Sequence, residues 1–131
     1  MMKSRRFQPF GRLVSRVKTM ERVAAVTFDD GPSPDHLPEI LDALRARRAR
    51  ATFFVVGQQA ATVPEALVAI RSEGHELGNH SWSHRRMVGM RRAVIQSEIE
   101  QTDRLIRAAG QPDPILFRAP YCAKGVLLSF Y

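Results

Sequence analysis

The sequence predicts an α/β domain built on a parallel sheet. Three observations carry this. Short apolar runs rich in β-branched residues recur along the chain, without the polar alternation of a sheet wetted on one face. Stretches with apolar residues at helical spacing lie between them. Glycine, proline or a charged pair closes each run. Strand–helix alternation does not by itself separate an open sheet from a barrel.

The elements follow in order. Arg22–Phe28 reads as a buried strand, ended by Asp29-Asp30-Gly31-Pro32. Leu37, Ile40, Leu41 and Leu44 predict a helix over about 36–48, with Ser33 or Asp35 as its N-cap. Ala51–Val56 is a second buried strand, stopped by Gly57. Thr62-Val-Pro-Glu65 fits a capping box with Pro64 in the first turn. Val63, Leu67 and Ile70 share one face of the helix that follows, and Gly74 ends it. His75–Gly78 is a short third strand. Ile95, Ile99, Thr102, Ile106 and Ala109 predict a helix over about 90–109, closed by Gly110, and Pro114–Phe117 a fourth strand.

A chain of 131 residues is one domain's worth. With 44% apolar and 25% charged residues, disorder and collagen are excluded. A single cysteine, Cys122, allows no internal disulfide framework and has no evident activating base. No apolar stretch approaches the roughly 18 residues that span a bilayer. Residues 1–22 lack the roughly 7–15-residue apolar core of a signal peptide, a cytoplasmic pattern by sequence that does not fix the compartment. The net charge of +7 is concentrated at one end. Residues 1–22 carry seven basic side chains against Glu21, and the rest is nearly balanced. Residues 1–21 are expected to be a solvated, poorly ordered basic leader, and 22–131 the folded domain. The body has no basic stripe interleaved with aromatics, which argues against a nucleic-acid partner.

Three polar clusters follow strands, and the carboxyl ends of parallel strands share one face, where active sites collect. Asp29 and Asp30 come after the first strand. As adjacent carboxylates they repel unless something positive holds them. One can hold a metal while the other serves as a base, or one can cap a helix while both stay solvated. His80 and His84 stand at i, i+4, which on a helical turn brings both rings to one ion; they can equally be two unrelated imidazoles. Arg118, after the fourth strand, can orient a carboxylate or form an ordinary salt bridge, and Pro120 stiffens a loop that can aim the Tyr121 backbone N–H at an oxyanion. Trp82 reads as packing before sugar stacking. His75 reads as structural and His36 as a solvated neighbour of a cap.

Together these pieces resemble the polysaccharide deacetylases, the NodB-homology domain of carbohydrate esterase family four. Thr27-Phe-Asp-Asp-Gly-Pro32 is similar to the family's first motif, His80-Ser-Trp-Ser-His84 to its second, and Arg118-Ala-Pro-Tyr121 to its third. Gly74-His-Glu-Leu-Gly-Asn-His80 is similar to the lead-in to the second. The resemblance implies a distorted (β/α) barrel and removal of N-acetyl groups from an N-acetylglucosamine polymer. It implies Asp30, His80 and His84 as ligands of one divalent metal, most often zinc. It implies Asp29 as general base, Arg118 as its holder, and Tyr121 as an oxyanion and substrate contact.

The family has two further motifs after the third, the last carrying a general-acid histidine, and here no histidine follows His84. The chain is therefore expected to be the N-terminal part of the barrel, incomplete. That leaves a metal- or glycan-binding remnant without catalysis, or an amidohydrolase of small non-sugar amides, as alternatives to the deacetylase. An unpaired edge at the fourth strand is expected to favour self-association.

Overall fold

The computed structural model describes residues 19–122, so most of the basic leader and the tail 123–131 lie outside it. The elements run β1 (Thr27–Gly31), α1 (Leu37–Ala46), β2 (Thr52–Val55), α2 (Gly57–Thr62), α3 (Pro64–Ser72), β3 (Glu76–Asn79) and α4 (Arg92–Ala108). A 3-10 turn over Pro120–Cys122 follows. The strands form a parallel sheet, as the sequence predicts, and their order is β1-β2-β3.

Packing explains why the central strand is apolar from Phe53 to Val55. Phe53 and Val55 of β2 share a core with Leu37, Leu41 and Leu44 of α1, Leu67 and Ile70 of α3, and Leu77 of β3. Phe54 points to the other face and is also buried. The Arg118 guanidinium lies 4.0 Å from its ring centroid. Gly78 lets that ring cross β3, because a Cβ there would come within 2.6 Å of it. Ile70 is fully buried, and such a side chain contributes about 1.5–3 kcal/mol.

Four local expectations change. The first strand begins at Thr27, not Arg22, and takes in Asp29 and Asp30. Its ladder opens where Val26 C=O accepts the Thr52 N–H; Val23, upstream, is exposed. Neither Ser33 nor Asp35 caps α1, whose N-cap is His36 without a side-chain bond. The Ser33 carbonyl instead accepts the His36 and Leu37 N–H groups. The capping box is absent because Thr62 ends a helix, its hydroxyl donating to Gln59 C=O; Pro64 does open α3. Residues 114–117 make only a bridge, Asn79 to Phe117. Pro112 and Pro114 carry no N–H, and pairing is confined to Asn79 N–H donating to Leu116 C=O and Arg118 N–H donating to Asn79 C=O.

Candidate active site

In a regular strand neighbouring side chains point to opposite faces, so Asp29 and Asp30 could not share a site. β1 avoids this. Phe28 pairs with Phe53 and Gly31 with Val55, so β1 spends one residue more than β2 over the same stretch. That is a bulge, a device that re-aims side chains, and Asp30 within it has a φ of +67°. Both carboxylates then line one cleft of about 240 Å³ with His80, His84, Ala119, Tyr121 and Cys122.

His80 and His84 meet there, but not on a helical turn. The segment between them is a bent loop with Ser81 at φ +70° and His84 at φ +55°. The two rings are 4.9 Å apart. Asp30 Oδ1 lies 3.3 Å from His80 Nε2 and 2.9 Å from His84 Nε2. One donor atom from each of the three residues falls within 4.8 Å of the others, so the group could hold a metal ion. The tautomer of His80 supports that fit. Its Nδ1 is 2.7 Å from the Arg118 carbonyl, which can only accept, so Nδ1 carries the proton. Nε2 then faces the Asp30 carboxylate oxygen and is the ring nitrogen turned toward the position a cation would take. A ring N–H held by a carbonyl is the usual second support of a metal-binding histidine.

Asp29 has a different partner. Arg118 donates to Asp29 Oδ1 at 2.6 Å and to Thr27 Oγ1 at 2.9 Å. Stacking on Phe54 limits where the guanidinium can go. Arg118 therefore touches both halves of the site, Asp29 through its side chain and His80 through its carbonyl. Tyr121 sits at φ +57° with its ring exposed and 4.9 Å from that of His84. Of six non-glycine residues with positive φ among those described, Asp30, Ser81, His84, Tyr121 and Cys122 lie at or beside the cleft; Arg48 is the sixth. Such conformations cost about 1–3 kcal/mol each and concentrate at functional sites.

Trp82 does not line the cleft and packs against Gly57. His75 is buried away from it, its Nδ1 accepting the Ala51 N–H at 3.3 Å. Burial holds His75 below the ordinary imidazole range.

Sequence reasoning missed the residues that hold the histidine loop. Glu98 of α4 is buried and accepts the Ser83 N–H and the Ser83 hydroxyl, each at 2.7 Å. Asn79 is fully buried; its Oδ1 accepts the Ser81 N–H, and its Nδ2 donates to Ile99 C=O and Asp103 Oδ1. Ser81 Oγ accepts the His84 N–H at 3.0 Å. A signal was available, since Glu98 falls in the stripe of Ile95, Thr102 and Ile106, where a charge needs a reason.

Known proteins are similar to this chain in sequence and fold. The chain is 40% identical over 101 residues to a peptidoglycan-N-acetylmuramic acid deacetylase of Bacillus subtilis (strain 168), covering 77% of this chain and 22% of that protein. It is 41% identical over 101 residues to a chitooligosaccharide deacetylase of Bradyrhizobium sp. (strain ANU 289), covering 76% and 46%. Among solved structures, a family 4 carbohydrate esterase from Streptomyces lividans in complex with acetate superposes with a TM-score of 0.74 at 40% identity, covering 79% of this chain and 54% of that one. The chain thus spans about half, or less, of the length of these relatives. The polysaccharide deacetylase family model matches residues 16–127, and the chain belongs to that family.

Proposed function

We propose that the chain works in the metal-dependent removal of N-acetyl groups from an amino-sugar polymer, an N-acetylglucosamine glycan, with zinc as the ion. The observation that carries this is the division of labour between two adjacent carboxylates. Asp30 faces two imidazoles, while Asp29 is paired with a guanidinium. Neighbouring titratable groups in contrasting environments mark separate roles. The relatives named above act on peptidoglycan and on chitooligosaccharide, both N-acetylated glycans.

Asp30, His80 and His84 would hold the ion. One oxygen and two imidazole nitrogens suit zinc and leave room for further ligands. When bound, the ion supplies Lewis-acid polarisation of the acetamide carbonyl and acidifies water. Asp29, oriented by Arg118 through Oδ1, takes the proton of the attacking water at Oδ2. The water oxygen bonds to the acetyl carbon as charge develops on the carbonyl oxygen, which the Tyr121 backbone N–H would stabilise. The C–N bond then breaks, its electron pair stays on nitrogen, and the nitrogen takes up the proton as acetate leaves.

Acetate release from tetra-N-acetylchitotetraose by the zinc-loaded chain tests the reading. Release that depends on zinc and on Asp29 is expected. No release from that glycan or from peptidoglycan fragments, with zinc bound, would overturn it.

A further inference from the structure

Next to the cleft lies an open hollow of about 710 Å³, walled by Ser83, His84, Arg85, Arg86, Met90 and Tyr121. Its chemistry is the reverse of the cleft's. The cleft has two carboxylates in its wall, whereas the hollow has two guanidinium groups and no carboxylate. Arg85 and Arg86 are exposed, and neither forms an ion pair among the described residues. The nearby carboxylate of Glu98 is engaged by Ser83. Arg86 is not randomly placed. Its guanidinium lies over the Tyr121 ring at 5.6 Å, and that ring rests against His84 at 4.9 Å. The row His84–Tyr121–Arg86 therefore sets a cation two ring contacts away from the candidate ligand cluster. An aromatic face flanked by arginine suits a sugar ring bearing an acid group.

We propose that this hollow is a subsite for a carboxylate on the glycan, carried by the sugar next to the one whose acetamide enters the cleft. Arg86 and Arg85 bind the carboxylate, and Tyr121 supports the sugar ring between it and His84. The subsite rests on the deacetylase reading and adds to it a substrate class, an acidic N-acetylated glycan in preference to a neutral one. Charge-assisted hydrogen bonds in a partly screened site select by roughly tenfold.

The experiment titrates the zinc-loaded full chain with three tetrasaccharides. One alternates N-acetylglucosamine and N-acetylmuramic acid, the second is its lactyl methyl ester, and the third is tetra-N-acetylchitotetraose. The ester keeps the bulk and removes the charge. The acid form is expected to bind about tenfold more tightly than the other two, the margin shrinking as salt rises. Arg85→Ala with Arg86→Ala is expected to erase the margin while leaving the affinity for chitotetraose unchanged. Both side chains are exposed, so the variant is expected to melt as the parent does. Equal binding of all three, or a margin that survives loss of both arginines, would overturn the subsite and leave the deacetylase reading standing. Failure to bind any of the three would bring down both. Binding of a short oligonucleotide as tightly as the acid glycan would show a general polyanion face and would also overturn the subsite.

Discussion

Asp29 and Asp30 are one peptide bond apart, yet each has its own partners, so exchanging their side chains separates binding from chemistry. Asp30→Asn is expected to abolish zinc binding. Asp29→Asn is expected to keep zinc and lower acetate release by roughly 10²–10⁴, the usual contribution of a positioned base. The opposite pattern would mean the two roles are reversed. His75 makes a separate, pH-dependent contribution. Its Nδ1 accepts the Ala51 N–H, and its buried Nε2 has no partner among the described residues. Burial lowers its pKa, with Arg50 lowering and Glu73 raising it by smaller amounts. The unfolded chain therefore binds a proton that the folded chain refuses, so stability is full above about pH 6.5 and falls as pH drops below it. Thermal melts from pH 8 to 5 are expected to show a shallower acid slope in His75→Asn than in the parent; identical slopes would count against the role.

At the scale of elements, α4 is the support of the metal loop. Glu98 and Asp103 reach down from it to Ser83 and Asn79, and Asn79 in turn fixes Ser81. Glu98→Ala is expected to weaken zinc by about 10–100-fold, as loss of outer support does, with Glu98→Gln recovering most of it. A variant that melts earlier but binds zinc normally would show Glu98 to be structural only. The helix itself was legible, because its apolar residues keep one period for four turns; so was α1. The strands were legible in type and misplaced at their ends. The bulge in β1 was not legible, since it exists only in the register against β2. Six residues, Gly57–Thr62, are too few to show a period, so α2 went unread and Thr62 looked like a cap. The histidine pair was found from its spacing for a helical reason that does not hold. Two left-handed residues, Ser81 and His84, bring the rings together instead.

For the molecule as a whole, the sheet has an open side at each end among the described residues. Residues 114–117 pair only at Asn79, while β1 ends the sheet with exposed Thr27 and, just before it, exposed Val26 and Val23. An apolar strand edge of that kind pairs with another copy. Concentration-dependent self-association is expected in light scattering after size exclusion, reduced by Val26→Lys; a monomer at every concentration would contradict it. Zinc acts on the same folded state. At a hundredfold excess over its dissociation constant it adds about 2.7 kcal/mol, so the melting temperature is expected to rise with zinc in the parent and not in His84→Ala. The most direct measurement is calorimetric titration of zinc into the purified chain. One ion per chain is expected, retained in Asp29→Asn and His75→Asn and lost in Asp30→Asn, His80→Ala and His84→Ala. No binding by the folded parent chain, or binding that survives loss of Asp30 and His84, would contradict the metal site on which the proposed chemistry depends.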